Sequence, residues 1–322
     1  MNFNKKLVTT VTLNPSWDYL LAVDRLEVGQ VQRASRIFSY PSGKGVNVAR
    51  VLSQLGQKVV ATGFLGNKDA AVFIKSLKNE KRLRPDFCII PGDNRQCVIL
   101  NQQSTGSETV INPSSLFIVK PAQFKSLLIK VSKYARASAI VTLSGSIPRG
   151  ADSSCYARLI EVIQESGASA YLDTKGPALL QALAKRPALV KITHREFEES
   201  FRCSLGWDTK SLIKALIKLR ELGVQTVILS LGEKGSLSMI ENKVWSAVTK
   251  VPLRPKGPTG SGDAFLAGFC KATLEKREIP EILSYATASA LANLLNLGSG
   301  FVAAKAVTGL EKVVKVKEIK IH

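Results

Sequence analysis

Apolar residues along this chain fall into two patterns: short unbroken runs, and stretches where they recur every three or four positions. The first run, LVTTVTL at residues 7–13, is rich in β-branched residues and stops at Asn14-Pro15, which predicts a strand. Residues 19–26 and 31–40 alternate instead and predict two further, partly exposed strands split by EVGQ. GVNVARVLSQLG at 45–56 sets Val48, Val51, Leu52 and Leu55 on one helical face, with Gly56 as the stop. Beyond it, strands are predicted at 58–66, 138–146, 168–173, 187–192 and 225–232. Helices are predicted at 69–80, 122–135, 153–167, 176–184 and 209–223. Hairpins are predicted at 97–112 and 235–247, and two strong helices at 262–276 and 280–296.

Buried strands alternating with amphipathic helices imply an α/β fold, doubly wound, with a mostly parallel sheet covered on both faces. Ligands of such sheets sit beyond the carboxyl ends of the strands. The early extended regions, about 18–40 and 95–112, break the alternation and read as a small β-sheet lid over that crevice. No linker, repeat or low-complexity stretch divides residues 1–322, so one domain is expected.

Composition narrows the partners. Forty-five Lys and Arg against 25 Asp and Glu give a formal charge of +20. The cations are scattered, with no basic tail and no aromatic-studded stripe, so anionic small substrates fit better than nucleic acid, and no nucleic-acid partner is expected. Five cysteines without a C-x-x-C pair, and only His194 and His322 besides, argue against zinc and read as buried thiols of a cytoplasmic protein. The N-terminal MNFNKKLVTT lacks a signal-peptide core, and no apolar stretch is long enough to span a bilayer.

The stretch KGPTGSGDAFLAGF, residues 256–269, carries the candidate chemistry. No G-x-x-x-x-G-K-[ST] loop exists in the chain, and Phe265 stands where a G-x-G-x-x-G fingerprint needs its third glycine. What remains is a glycine-rich turn at a helix start, whose free N–H groups suit an anion. Asp263 has two readings there: a plain helix cap, or a base that takes a proton from an attacking hydroxyl. A second glycine-rich helix start, SGKGVNVAR at 42–50, offers Gly43, Lys44 and Asn47, and SGSIP at 144–148 follows a buried strand at the crevice end.

Taken in order, TLNPSWD, SGKGVNVARVLSQLG, LSGSIPRG, SLGEKGS and GPTGSGDAFLAGF resemble the PfkB branch of the ribokinase-like carbohydrate kinases, from about Thr12 to the NLLNLGSG region. Within that family the chain looks most similar to the 1-phosphofructokinase and tagatose-6-phosphate kinase group. The resemblance implies a ribokinase-like fold and an ATP- and Mg2+-dependent kinase acting on a phosphosugar. It implies Asp263 as the base and the N–H groups of Gly260, Ser261 and Gly262 as the anion hole. Asp18, Gly43, Lys44, Asn47 and Ser144 would hold the sugar, and Arg95 its phosphate. Lys191, Ser230, Gly232 and Gly235 would lie near the nucleotide phosphates and Asn293 near the adenine. Glu196 would act on the magnesium through water. A homodimer joined through the lid is expected.

Five positions depart from the family pattern: Thr193 for the Asn of N-x-x-E, Ile192 for Pro, Ser42 for Gly, Gly257 for Asn and Arg149 for the second Pro of SLPPG. Thr193 bears on metal dependence or nucleotide affinity, Arg149 on which phosphosugar fits. The leading expectation is conversion of fructose 1-phosphate to fructose 1,6-bisphosphate. Tagatose 6-phosphate and fructose 6-phosphate compete as substrates. A non-catalytic sensor or nucleic-acid-associated protein, and a nucleoside or vitamin kinase, are the other readings.

Overall fold

The computed structural model describes residues 5–249 and 255–320; His322 and the start of the N-terminal segment lie outside them. Strands β1 (Leu7–Thr12), β2 (Ser16–Val23) and β3 (Arg36–Ser42) lead into helix α1 (Lys44–Gln54) and strand β4 (Val59–Gly66). Helix α2 (Ala70–Leu77) precedes the short β5 (Leu83–Pro85) and β6 (Cys88–Ile90), then β7 (Arg95–Gln102) and β8 (Ser107–Ile111). Next come α3 (Pro121–Ala135), β9 (Ser138–Ser144), α4 (Cys155–Glu165), β10 (Ser169–Asp173), α5 (Gly176–Leu183) and β11 (Leu189–Thr193). They are followed by α6 (His194–Phe201), α7 (Thr209–Glu221), β12 (Thr226–Ser230), β13 (Ser236–Ile240) and β14 (Lys243–Thr249). Helices α8 (Ser261–Leu274), α9 (Ile279–Leu294) and α10 (Ala304–Glu311) and strand β15 (Val314–Ile319) follow.

Eleven strands form the main sheet in the order β15-β14-β13-β12-β11-β10-β9-β1-β4-β5, with β6 also on β4. From β5 to β12 every pair is parallel, so the carboxyl ends of these strands share one edge. β13, β14 and β15 add antiparallel at the far side. Helices cover both faces, which is why β4 reads VVATGFLG and buries all eight residues. Separate apolar clusters lie on the two faces, one around Phe64, Tyr156 and Leu172 and the other around Leu52, Phe73 and Leu266. Helices α8 and α9 pack closely because their contact is built from small residues. A Cβ on Gly268 would sit 2.4 Å from Ser289 Oγ.

The small sheet is separate, in the order β3-β2-β7-β8. Its central pair β2–β7 is parallel and its outer pairs are antiparallel. Residues 24–35, part of which was expected to be strand, form the connection instead. Val31 there is fully exposed and has no surface to pack on. Five elements were not anticipated at all, the short β5 and β6 among them. Helix α6 begins immediately after β11, and α10 and β15 lie in a segment whose Lys-Val alternation reads as scattered charge. Cys203 is exposed, which corrects the expectation that all five thiols are buried, and Cys88 is half-buried.

Candidate active site

At the shared carboxyl edge a cleft of about 950 Å³ opens between the main sheet and the small one. Asp18, Gly43, Lys44, Asn47, Arg95, Lys191, Glu196, Gly260, Gly262 and Asp263 all line it. These residues come from sequence positions up to 245 apart, and the crossing of α1 with the start of α8 is what brings the two glycine-rich turns face to face.

Gly260 is the N-cap of α8 and adopts φ 87°, ψ −6°. A Cβ there would meet the Gly300 nitrogen and Ser299 at 2.8 Å, so glycine is required by conformation and by space alike. No side chain caps α8. The capping reading of Asp263 is thereby removed. Its carboxylate is buried and instead accepts from Asn47 Nδ2 at 2.9 Å. Ser261 does not line the cleft; its hydroxyl turns back to donate to the Pro258 carbonyl at 2.8 Å.

The electrostatics separate two buried acids. Asp173, at the end of β10, accepts from Lys44 Nζ at 2.8 Å and from Lys191 Nζ at 2.7 Å. Burial opposes its charge, but the two ammonium groups outweigh that and hold its carboxyl well below the usual range. Asp263 has no such partner. Burial, reinforced by the Asp173 charge, pushes it up to about 7 against the pull of Lys44, the Asn47 hydrogen bond and Lys191. Two neighbouring buried acids are thus driven apart, the arrangement that assigns one as a charge and the other as a proton acceptor near neutral pH. Burial works against the Lys44 ammonium too, yet Asp173, Glu196 and Asp263 keep it charged.

Thr193, the departure from N-x-x-E, caps α6. Its Oγ1 accepts from the Glu196 nitrogen at 3.1 Å, and Glu196 Oε2 accepts from the Thr193 nitrogen at 2.9 Å. Glu196 Oε1 also accepts from Lys44 Nζ at 3.1 Å. Burial raises the Glu196 carboxyl, Lys44 lowers it, and the net shift is downward. A threonine therefore still locks the glutamate at the cleft wall.

At the other end, Asp18 is buried and accepts from Ser16 Oγ at 2.7 Å; desolvation leaves its pKa raised. Arg95 Nε donates to the Asn14 carbonyl at 3.3 Å and Nη1 to Asn112 Oδ1 at 3.4 Å, both long contacts. A guanidinium held this loosely at a cleft wall keeps donors for an incoming anion.

Several expected positions lie elsewhere. Ser144 is the fully buried last residue of β9, beneath the floor; Gly145 at φ 106° turns the chain, and Ser146 reaches the cleft in its place. Asn293 is buried in α9, where Nδ2 donates to the Thr259 carbonyl at 2.9 Å and Oδ1 accepts from the Gly300 nitrogen at 2.8 Å. It ties the glycine turn to the following loop and does not line the cleft. Ser230, Gly232 and Gly235 lie at the end of β12 and the 3-10 turn after it, outside the lining, with Ser230 paired to Thr193 in register. The sequence reading missed Asp173, which carries no local signature. It also missed Glu108 of the small sheet, whose Oε2 accepts from the Thr259 nitrogen at 2.9 Å.

An α/β sheet with a glycine-lined helix start, a buried near-neutral acid and flanking cations is the equipment of a group-transfer enzyme acting on an anion. The sequence profile of the pfkB family carbohydrate kinases matches residues 11–305, and the chain belongs to that family. It is a carbohydrate kinase, a phosphotransferase with a hydroxyl acceptor. The chain is 27% identical over 316 residues to a tagatose-6-phosphate kinase of Staphylococcus epidermidis, covering 97% of this chain and all of that one. A Thermotoga maritima structure described as a possible 1-phosphofructokinase superposes with TM-score 0.88 at 24% identity, over 98% of this chain and 100% of that one. Phosphofructokinase-2 from Escherichia coli, in complex with substrates and products, gives TM-score 0.86 at 22% identity, over 95% and 98%. At these identities the two structures carry the ribokinase-like fold. No helix among the described residues is long and apolar enough to cross a membrane.

Proposed function

We propose that this chain transfers the γ-phosphoryl group of ATP to a phosphorylated ketohexose, converting fructose 1-phosphate to fructose 1,6-bisphosphate. The observation that carries the reading is Asp263: a buried carboxyl poised at about 7 in the first turn of α8, beside an uncapped helix start. Asp263 accepts the proton of the attacking hydroxyl. The N–H groups of Gly260 and Gly262, with Lys44 and Lys191, face the charge that spreads over the migrating group, where phosphoryl transfer needs positive potential; the Ser261 N–H, expected to join them, donates instead to the Pro258 carbonyl at 3.2 Å. Asp18 and Asn47 orient the sugar hydroxyls, and Arg95 with Asn112 receives the phosphate already on the sugar. The names of the curated relative and of the Thermotoga protein favour a phosphorylated ketohexose.

The residues fit ATP and a magnesium ion of limited protein contact. The carboxylates of Asp173 and Glu196 are engaged by lysines, and the described residues form no group of three or more His, Cys, Asp or Glu that could hold a metal. Glu196 would hold the ion through water, as magnesium with its retained hydration shell allows; the ion supplies charge neutralisation at the phosphates. Two chains would pair through the outer face of the small sheet, where Ile37 is 67% and Ile111 57% exposed. That sheet then acts as the lid.

A coupled ADP-release assay over fructose 1-phosphate, tagatose 6-phosphate and fructose 6-phosphate, with fructose and ribose as controls, tests the reading. Turnover should be highest with fructose 1-phosphate. Turnover confined to the unphosphorylated sugars would refute the role of Arg95 and the phosphosugar assignment.

A further inference from the structure

Arg50, which ends the SGKGVNVAR segment on α1, is a fully desolvated guanidinium, 3% exposed, to which the expected chemistry assigns no role. Its Nη1 donates to Asn47 Oδ1 at 3.2 Å and to the Ser299 carbonyl at 3.1 Å, and Nη2 donates to the Pro41 carbonyl. The group stacks 4.7 Å from the Phe301 ring centroid and 5.6 Å from that of Tyr40. Tyr40 in turn accepts, at its hydroxyl oxygen, from the Ser299 nitrogen at 2.9 Å. One side chain thus ties the small sheet, α1 and the loop that packs on the Gly260 turn.

Its contact with Asn47 has a further consequence. An asparagine amide can be turned by 180° at little steric cost, and its neighbours decide which end is oxygen. Asn47 faces Asp263 with one end and Ser42 and Arg50 with the other. A serine hydroxyl can donate or accept, so Ser42 does not decide the orientation. A guanidinium can only donate. We propose that Arg50 is the positioning residue of this active site, fixing the Asn47 amide so that its nitrogen, and never its oxygen, meets the Asp263 carboxylate.

An N–H donor favours ionised Asp263, the form able to take a proton. A carbonyl oxygen in the same place can only accept, and so favours the protonated, idle form. The other groups acting on Asp263 are Asp173 on β10, Lys44 on α1 and Lys191 on β11. Around Arg50 they are Glu80, 3.7 Å away, with Tyr40 and Asp18 from the small sheet. None of these is removed when Arg50 is replaced; loss of the Arg50 charge itself also raises Asp263, so the orientation of the amide is read separately from its nuclear Overhauser contacts.

The catalytic consequence rests on Asp263 being the base; the amide orientation does not. Carboxyl carbon NMR titration of the apo-protein, with Asp263→Asn assigning the resonance, therefore tests the inference without any turnover. The wild-type midpoint should lie near 7. Arg50→Met should move it upward by about one pH unit, and Ser42→Ala should leave it in place. In turnover at pH 7 the Arg50→Met change corresponds to roughly a five-fold loss that is recovered by pH 9, with KM for the sugar little altered. An unmoved midpoint in folded Arg50→Met, or an equal shift in Ser42→Ala, would overturn the proposal. Should Arg50→Met not fold, the wild type still decides. Nuclear Overhauser contacts from the Asn47 amide protons must run to groups beside Asp263, and their appearance on the Arg50 side would contradict it. A wild type that titrates as predicted yet phosphorylates no sugar would sink the kinase reading alone.

Discussion

Replacing Asp263 by asparagine should disable the enzyme and stabilise the protein in one step. The side chain is buried, and its carboxyl is raised from the ordinary 3.8 to about 7. Three factors of ten at ~1.4 kcal/mol each give a ceiling of ~4 kcal/mol for holding that charge in the fold. Relaxation and water entry lower the figure, and ~2 kcal/mol is a working value. The sign follows from linkage: a carboxyl that binds its proton more tightly when folded weakens the fold as pH rises from about 4 to about 7, and the deficit is constant above that. Asp263→Asn lacks the ionisation. Its melting temperature should match wild type near pH 4, exceed it by roughly 3 °C at pH 8, and rise progressively between. Turnover should fall by roughly 10²–10⁴-fold. Thermal melts across pH 4–9, paired with the ADP-release assay on the same preparations, measure both. A stability difference that does not vary with pH would refute the buried-charge reasoning, and undiminished turnover would refute the base.

Asp173→Asn leaves the ammonium of Lys191, 3% exposed, without its counter-charge, so urea denaturation should show a loss of ~3 kcal/mol. The same change removes the negative charge that helps hold Asp263 up, and should move the acidic limb of kcat/KM to lower pH. Arg95→Ala should lower kcat/KM by roughly 10–100-fold for a phosphorylated ketohexose, mainly through KM, while leaving any residual turnover of free fructose unchanged. Ile37→Glu together with Ile111→Glu charges the exposed apolar face of the small sheet; sedimentation velocity should show a lighter species than wild type if that face joins two chains.

Much of this was legible in the residues, for identifiable reasons. The parallel sheet showed because strands covered on both faces have to be continuously apolar, as β4 is. The two glycine-rich helix starts showed because close backbone approach leaves no alternative to glycine, as at Gly260. Asp173 did not show. A carboxylate ending a strand has no local signal, and its role exists only because β10 and β11 run side by side and α1 aims Lys44 at the same point. Ser144 was the natural choice in SGSIP, but the turn at Gly145 exchanges the faces, and Ser146 is the residue exposed to the cleft. Asn293 was placed by resemblance near a ligand, whereas both ends of its amide are bound to the backbone of the loops beside it. Thr193 looked like a loss, yet a hydroxyl caps α6 and leaves Glu196 where it is needed. β15 was missed because VKVKEI keeps its alternation but fills one set of positions with charge.

Phosphorus NMR of the product formed from fructose 1-phosphate and ATP tests the assignment most directly. Stoichiometric ADP together with fructose 1,6-bisphosphate, the new phosphate on the C6 oxygen, is expected. ADP accompanied only by inorganic phosphate, or a new phosphate appearing solely on sugars that carried none, would contradict it.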